Sequence, residues 1–362
     1  MKILFIGSAI SNHTLRWVNS LSERGHNVLL VCGGDLKAKS ENIKISDKVK
    51  VHYLRFGSGI GYYLNAVELN KIYKDFKPDI VNAHYATGHG VLARLARVKP
   101  LIISFWGSDI FEYPFLSRIN RRILLKNILY ADAVAATSIA MAKKIKEVYP
   151  EYKKDVVVTP FGIDTELFKP KEREKNKRSV IGIVKYLKPI YDIPLLIDAF
   201  SILWHKMDVK PLLYIYGGGP LLEELQEKCD KLGISEDVIF FGTIPNTQIA
   251  EAINNMDVFV NCSKAESFGV ALLEAMACKV PVVATDTEGY REVVQDGVTG
   301  IILKDRKPET MAEELLRLLN NQEVCNYYGE NGRKRVLELY DWNKDVSIME
   351  SLYEETVRKK GI

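Results

Sequence analysis

Short apolar, β-branched runs alternate with helix-length amphipathic segments along the whole chain, and this alternation is what most restricts its fold. The strand candidates lie at 2–7, 27–33, 49–55, 79–85, 100–107, 133–137, 155–160, 179–184, 210–217, 238–242, 258–262, 280–286 and 300–304. Helix candidates lie between them, at 13–24, 90–97, 195–206, 221–232, 248–254 and 270–278. Strands that are apolar on both faces are typical of parallel sheets covered by helices on both sides. The sequence therefore predicts an α/β protein.

The length of the chain and a break in its pattern predict two domains. With 362 residues the chain exceeds the ~250–300 at which a single core stops growing. The alternation stops between 161 and 177, where KPKEREKNK (169–177) is charged and lacks a strand pattern. We therefore expect two doubly wound domains, 1–165 and 166–344. Such sheets bind ligands at the carboxyl ends of their strands, so two facing crevices would form one cleft.

The composition is that of an ordinary soluble protein. The chain is 47% hydrophobic and 27% charged, and no apolar run reaches the ~18 residues needed to cross a bilayer. Its five cysteines are odd in number and lack paired spacing, which indicates a reducing, cytoplasmic compartment. Residues 1–160 carry 24 basic and 13 acidic side chains, although the whole chain has a net charge of only +4. This asymmetry indicates either an anionic partner for the first half or a surface of solvated lysines.

Several common nucleotide and metal motifs are missing from the sequence. There is no GxxxxGK[ST], so we expect no P-loop. The glycines at 217–219 begin like a dinucleotide turn, but Leu222 stands where a third glycine belongs. The chain also lacks an Asp-x-Asp pair, an HExxH and a CxxC. We therefore expect neither a bound cofactor nor a metal ion.

The segment ESFGV (266–270) leads from a predicted strand into a predicted helix and has the features of an anion site. Ser267 is the expected N-cap of that helix. The first turn then presents free backbone N–H groups at the positive end of the helix dipole, those of Phe268, Gly269 and Val270. This pattern predicts phosphate binding.

Two glutamates frame this segment. Glu266 precedes the turn, and Glu274 lies on a helix that is otherwise apolar. Burying an unpaired carboxylate is costly, whereas the vicinal diol of a sugar can donate two hydrogen bonds to one carboxylate. Glu274 therefore binds a sugar, points to solvent or caps a neighbouring element, and residue chemistry alone leaves these alternatives open.

The block ESFGVALLEAMACKVPVVAT (266–285) resembles the E-x7-E region of retaining GT-B glycosyltransferases of family 4. The resemblance spans nearly the whole chain and includes the segments at 24–28, 161–164, 217–220, 288–292 and 296–300. It implies the GT-B fold, in which two Rossmann-like domains face one another across a cleft. It also implies that a closing helix at 345–362 crosses back onto the first domain.

The resemblance assigns a nucleotide-sugar donor to the second domain. It implies that Glu274 binds the ribose diol. Glu266, with the amides of the first helical turn, is implied to hold the donor sugar and the diphosphate. The base is implied to bind backbone between Gly242 and Ile244.

The diphosphate loop departs from the family pattern. Relatives commonly carry an arginine and a lysine after the first strand of the second domain, and an ungapped count places Tyr186 and Tyr191 at those positions. We expect the nearby Lys185 and Lys188 to supply the positive charge, because a lysine acts as a point charge and tolerates a shift along the loop. The alternative is that backbone alone holds the phosphate.

The first domain is implied to bind the acceptor. The loop after its first strand is expected to face the leaving group of the donor, and it contains Gly7, Ser8 and His13. His84 is a second candidate for the cleft and a candidate catalytic residue. Where many relatives have a histidine before glycine, this chain has Trp106, which we expect to stack on a sugar face. Asp109 is expected to bind a hydroxyl.

The implied activity is transfer of a sugar, with retention of anomeric configuration, from a UDP-sugar or less frequently a GDP-sugar. The implied acceptor is a saccharide or lipid-linked molecule in the assembly of envelope, capsule or lipopolysaccharide polysaccharide. The alternatives are a catalytically silent partner subunit that binds nucleotide sugar, a GT-B phosphorylase and an epimerase.

A basic stretch at 117–133 predicts docking on an anionic membrane surface. Its cations are Arg118, Arg121, Arg122 and Lys126, and we expect the apolar residues between them to face the core. The alternative is an ordinary solvated face. We therefore expect a cytoplasmic protein, peripheral on the inner face of the cell membrane, with no nucleic-acid partner.

Overall fold

The computed structural model describes residues 1–40, 45–57, 59–172 and 178–361. The chain divides into two units, Met1–Phe161 with Asp345–Ile362, and Gly162–Lys344. The division therefore falls slightly before the predicted boundary at 165. Five of the nine residues of the predicted charged linker (169–177), those at 173–177, lie outside the described residues.

The first unit contains a seven-stranded parallel sheet with helices between its strands. The strands run in the order β3-β2-β1-β4-β5-β6-β7, so the order reverses between β1 and β4. The strands are β1 (Lys2–Ile6), β2 (Asn27–Cys32), β3 (Lys50–Tyr53), β4 (Ile80–His84), β5 (Leu101–Phe105), β6 (Ala133–Ala136) and β7 (Val156–Val158). The helices are α1 (Asn12–Glu23), α2 (Gly61–Leu64), α3 (Ala66–Phe76), α4 (Gly88–Leu95), α5 (Ser108–Phe111), α6 (Tyr113–Leu116), α7 (Arg118–Tyr130) and α8 (Ile139–Val148).

The central strands of this sheet are buried on both faces, which explains their continuous apolar sequence. Leu4 of β1 is in register with Leu29 of β2 and Val81 of β4. Every residue of β4 and β5 is buried. Each fully buried aliphatic side chain contributes about 1.5–3 kcal/mol to folding, so a strand of this kind is stable only in the middle of a covered sheet.

The second unit contains a six-stranded parallel sheet in the order β10-β9-β8-β11-β12-β13, with the reversal between β8 and β11. Its strands are β8 (Val180–Val184), β9 (Leu212–Tyr216), β10 (Val238–Gly242), β11 (Val258–Asn261), β12 (Val282–Thr285) and β13 (Ile301–Leu303). Its helices are α9 (Ile193–Lys206), α10 (Leu222–Leu232), α11 (Asn246–Asn254), α12 (Val270–Ala277), α13 (Glu288–Val293), α14 (Pro308–Leu319) and α15 (Gln322–Leu339). The prediction of two Rossmann-like, doubly wound α/β domains is confirmed.

The last helix, α16 (Trp342–Arg358), belongs almost wholly to the first unit. Glu350 on this helix accepts hydrogen bonds from Arg24 at 2.7 Å and from His26 at 2.8 Å. The segment RGHNV (24–28) therefore anchors the end of the chain. Within the described residues, no helix is long and apolar enough to cross a membrane.

Candidate functional site

The best candidate site in the second unit lies where its strand order reverses. The loop after β8 and the loop after β11 both leave the sheet at its carboxyl edge, on either side of the reversal. Open parallel sheets bind their ligands at this point because the two loops diverge there and leave a crevice. The predicted donor residues lie on these two loops, on α12 and at the end of β10.

An ion pair joins the two loops. Lys185 Nζ donates to Glu266 Oε2 at 2.6 Å, and only 15% and 21% of the two side chains are exposed. The ammonium also lies 4.4 Å from the centre of the Tyr191 ring. The structure thus brings together the lysine predicted to bind the diphosphate and the glutamate predicted to bind the sugar. A bound diphosphate would compete with Glu266 for this ammonium.

Tyr290 lies next to the Lys185–Glu266 pair. Its side chain is fully buried, and its hydroxyl lies 2.7 Å from Ser263 Oγ and 3.5 Å from Glu266 Oε2. Burial, together with the nearby charge of Glu266, raises the pKa of Tyr290 well above its ordinary value. The phenol therefore stays protonated and donates its one proton to Ser263 Oγ, next to the Glu266 carboxylate. Tyr290 lies in the family-like block 288–292, but nothing in the sequence predicts a role for it.

The N-cap of the helix after this loop lies later in the chain than predicted. Gly269, and not Ser267, is the N-cap of α12, with φ 130° and without a side-chain cap, so the N-cap prediction for Ser267 is wrong. This φ lies in a region that favours glycine, and a Cβ there would come within 3.0 Å of the Tyr290 ring. Hydrogen bonding to Gly269 O begins at Leu272. The amides of Phe268, Gly269 and Val270 therefore lie ahead of the ladder of α12, as a phosphate site requires.

Glu274 lies on the accessible side of α12. Its side chain and that of Val270, one turn earlier, are half-buried, whereas Leu272, Leu273 and Ala275 are fully buried. The carboxylate is thus placed next to the first turn of the helix and outside the apolar core. Its binding to a ribose diol stays a prediction.

Further cations lie on the same edge of the second unit. Lys188 Nζ lies 5.1 Å from the centre of the Tyr191 ring, on which Lys185 also packs. Arg306 donates to the carbonyl oxygens of Ser263 at 2.9 Å and Cys262 at 2.8 Å, and so fixes the start of the loop after β11. Sequence reasoning misses Arg306 because it lies 40 residues beyond Glu266, outside every motif.

The predicted base-binding backbone lies beside the glycine-rich turn. Gly217 N donates to Gly242 O at 2.8 Å, and Leu187 N donates to Gly218 O at 2.9 Å. The turn at 217–219 therefore ties Gly242, at the end of β10, to the loop that carries Lys185, and Ile244 follows Gly242 by two residues. This packing accounts for the glycines without a dinucleotide.

In the first unit, aromatic rings gather at the carboxyl edge of the sheet. His13 stacks on Phe161 at 4.1 Å, and Trp106 meets both rings edge-on at 5.6 Å and 5.4 Å. Burial, with the charge of Arg16, lowers the pKa of His13 to about 4, so the imidazole is neutral near pH 7. The loop from Gly7 through Ser8 reaches the same edge and is held by Gly7 N donating to Val31 O.

Two predicted site residues in this unit are buried. His84 is 1% exposed, its ring packs against Phe5 and Trp106, and neither ring nitrogen has a hydrogen-bond partner in the described part of the chain. The ring of His84 is thus enclosed by aromatic side chains, and its catalytic contact stays a prediction. Burial also holds the pKa of His84 well below its usual value.

Asp109 is likewise 1% exposed, so it does not bind an acceptor hydroxyl as predicted. Its carboxylate accepts backbone N–H groups from Gly107 at 2.9 Å and from Ala86 and Trp106 at 3.1 Å. Asp109 thereby fixes the loops after β4 and β5. Burial raises its pKa to about 6, although the N–H donors act in the opposite direction.

Comparisons with known proteins bear on both units. Residues 164–335 match the family described as Glycosyl transferases group 1, and residues 2–138 match Glycosyl transferase 4-like. The chain belongs to the family 4 type of glycosyltransferase. It is 28% identical over 358 residues, 93% of this chain and 91% of the relative, to an N-acetyl-alpha-D-glucosaminyl L-malate synthase of Bacillus anthracis. It is also 28% identical over 310 residues, 84% of each chain, to an uncharacterized glycosyltransferase of Methanocaldococcus jannaschii.

Solved structures show the same fold for this glycosyltransferase. Sucrose-phosphate synthase from Thermosynechococcus elongatus superimposes with a TM-score of 0.81 at 17% identity, covering 98% of both chains. Anabaena HepE in complex with UDP and glucose gives a TM-score of 0.77 at 20% identity, covering 98% of this chain and all of that one. The GT-B fold predicted from the sequence is thus confirmed.

Within the described residues, no group of three or more histidine, cysteine, aspartate or glutamate side chains is placed to hold a metal ion.

Proposed function

We propose that this glycosyltransferase moves a sugar from a nucleoside-diphosphate donor, UDP before GDP, to a hydroxyl of a saccharide or lipid-linked acceptor. The observation that carries the proposal is the Lys185–Glu266 pair beside the first turn of α12. A cation, a carboxylate and helix N–H groups are together the chemistry that a sugar diphosphate requires, and this supports the proposal. The UDP and glucose named with the HepE structure support this choice of donor.

In the proposed reaction, the bond between the anomeric carbon and the diphosphate breaks, and its electron pair leaves with the diphosphate. The acceptor oxygen forms the new bond on the same face, and its proton passes to the departing phosphate oxygen. Lys185, Lys188 and the first-turn amides of α12 stabilise the developing negative charge. Glu266 orients the sugar hydroxyls and Glu274 the ribose. Configuration is retained, and these protein charges act without a metal ion or cofactor.

The relatives are named for different products or acceptors, so this chain's own surface carries the proposal for the acceptor. One relative is named for an L-malate product, and another, a D-inositol 3-phosphate glycosyltransferase of Corynebacterium urealyticum, is 30% identical over 251 residues. We propose a saccharide or lipid-linked acceptor in envelope, capsule or lipopolysaccharide assembly.

A surface at the start of α7 supports a membrane-bound acceptor. Leu116 is 72% exposed and Ile119 is 68% exposed, and the neighbouring Arg118 and Arg122 are also exposed. The expectation that the apolar residues of this stretch all face the core is therefore wrong at Ile119, although Leu124 and Ile128 are fully buried. Exposed aliphatic side chains among arginines are suited to an anionic lipid surface. We propose that α6 and α7 dock on such a membrane.

The test is a screen of nucleotide sugars for release of nucleoside diphosphate, with and without saccharide acceptors. Glu266→Gln is the matched variant, because it keeps the side-chain shape and removes the charge. Release by the unmodified protein and its loss in Glu266→Gln support catalysis. Binding of UDP without release from any donor would instead indicate the silent partner subunit.

A further inference from the structure

The ring of Tyr191 contacts two ammonium groups of the loop after β8. Lys185 Nζ lies 4.4 Å from the ring centre, and Lys188 Nζ lies 5.1 Å from it. Both distances fall within the about 6 Å over which the electron-rich face of an aromatic ring attracts a cation. The two ammoniums are therefore within about 10 Å of each other, about one Debye length at 0.1 M salt, so both charges act on a ligand at this edge.

The backbone of this loop aligns Lys188 with the ring. Lys188 is extended, as expected for a residue before proline, and Pro189–Tyr191 forms a single 3₁₀ turn. Tyr191 N donates to Lys188 O at 3.0 Å. Side chains three residues apart lie on the same side of such a turn. The turn therefore brings the Lys188 stem and the Tyr191 ring together.

Contacts with the rest of the second unit fix this turn. Tyr191 is half-buried and packs against the apolar core, and its carbonyl oxygen accepts from Cys262 Sγ at 3.2 Å. Asp192 follows with φ 49°, a left-handed conformation that aspartate adopts more readily than most residues. Its carboxylate accepts from Arg306 Nη2 at 2.5 Å. The position of the ring is therefore set by the fold and not by the two lysines.

We infer that Tyr191 is a positioning residue whose ring holds Lys185 and Lys188 together for one diphosphate. Two like charges in one loop repel each other, and each lysine stem loses conformational entropy when its ammonium is fixed. A shared aromatic face offsets part of both costs, because it attracts each ammonium and limits its orientations. Tyr191 stands where relatives commonly carry a lysine, so two lysines on a ring take the place of one fixed cation. The inference rests on the proposed function, since it concerns the lysines assigned to that reaction.

The test measures binding of inorganic pyrophosphate, which stands for the diphosphate of the donor, to the full chain by isothermal titration. Tyr191→Phe keeps the aromatic face, whereas Tyr191→Leu and Tyr191→Met keep an apolar side chain against the core and remove the face. We expect Tyr191→Phe to bind like the unmodified protein, and the other two to bind about five- to tenfold more weakly. Tyr327→Leu, at an exposed tyrosine on α15 of the same unit, is the matched control and should bind normally.

A second comparison separates positioning from a merely structural role. In a Lys188→Ala background, one ammonium fewer is left for the ring, so Tyr191→Leu should cause a smaller loss of pyrophosphate affinity than it does in the unmodified protein. A structural role would give the same loss in both backgrounds.

The inference would be overturned by unchanged binding in Tyr191→Leu and Tyr191→Met, by an equal loss in Tyr191→Phe, by an equal loss in the two backgrounds, or by no pyrophosphate binding to the unmodified protein. Donor cleavage, assayed on the same samples, tests the proposed function separately. Absence of cleavage with the expected binding pattern intact would reject sugar transfer and leave the role of Tyr191 in place.

Discussion

The Lys185 ammonium donates a hydrogen bond to the Glu266 carboxylate at 2.6 Å, and this contact joins the loops on the two sides of the strand reversal. The two charges compensate one another while the site is free of phosphate. When a diphosphate arrives, it can take over the lysine and leave the glutamate to the sugar hydroxyls. In the proposed reaction, the pair would connect donor binding to the geometry of the reacting sugar.

Lys185→Ala should lower turnover with a nucleotide sugar by at least ~100-fold, the usual scale for losing an electrostatic stabiliser. Lys188→Ala should do the same if both lysines face the diphosphate. The measurement is initial-rate kinetics at saturating donor. Lys228→Ala is the control, because it breaks a Lys–Asp pair of 2.7 Å in the same unit, away from this edge. Near-normal turnover in both single variants and in the double variant would show that neither lysine stabilises the leaving diphosphate.

Glu274→Ala should weaken binding of the nucleotide sugar by about 2–3 kcal/mol, through loss of charge-assisted hydrogen bonds to the ribose. Glu266→Ala should mainly lower turnover and leave the affinity for UDP nearly unchanged. Isothermal titration with UDP and with the nucleotide sugar separates these effects, and Glu313→Ala, an exposed glutamate on α14, is the control. An equal loss of UDP affinity in both variants would contradict this division of roles.

The fold was predictable from the sequence because strands that are buried on both faces have continuously apolar sequences. The helix predicted at 270–278 is α12 (Val270–Ala277), and the one predicted at 221–232 is α10 (Leu222–Leu232). The N-cap of α12 was harder to predict. Ser267 is a good N-cap residue, but in the structure the N-cap is Gly269, with a φ of 130°. The preference of Ser267 for the N-cap position is therefore outweighed by the packing of Gly269 against Tyr290.

Contacts between distant segments account for what the sequence did not reveal. The Tyr290 hydroxyl donates to Ser263, 27 residues away in the sequence, and nothing local to either residue predicts this contact. His84 lies on a strand that is buried on both faces, and the sequence did not reveal how completely its ring is enclosed. Asp109 accepts hydrogen bonds from its own turn, a role that its spacing after Gly107 favours over binding of a ligand.

Asp109 should make the stability of the first unit depend on pH. Its pKa is raised from 3.8 to about 6, so the folded state binds this proton more tightly, and the stability gained from it is lost as pH rises from about 4 to 6. The unfolding free energy of the wild type, minus that of Asp109→Asn, should therefore fall by about 2–3 kcal/mol over this range. Urea unfolding at several pH values measures this difference. A difference that stays constant or grows with pH would contradict the assignment.

Membrane docking should depend on both the charge and the apolar side chains at the start of α7. In low-salt co-sedimentation, we expect the protein to pellet with vesicles containing anionic lipid and to remain in solution with neutral vesicles. Arg118→Ala with Arg122→Ala, or Leu116→Ser with Ile119→Ser, should reduce the pelleted fraction severalfold. Lys71→Ala with Lys74→Ala, which removes two exposed cations from α3, should leave it unchanged. Equal recovery with neutral and anionic vesicles would exclude an electrostatic membrane surface.

The central claim is that the site around Lys185 and Glu266 transfers a sugar from a nucleoside diphosphate. Its most direct test is mass spectrometry of the products formed from a panel of UDP- and GDP-sugars in the presence of saccharide acceptors. We predict a glycosylated product and an equal amount of free nucleoside diphosphate with the unmodified protein. Both should fall by at least ~100-fold in Lys185→Ala and in Glu266→Gln, with the fold intact by circular dichroism. Unchanged product formation in both variants would contradict the account.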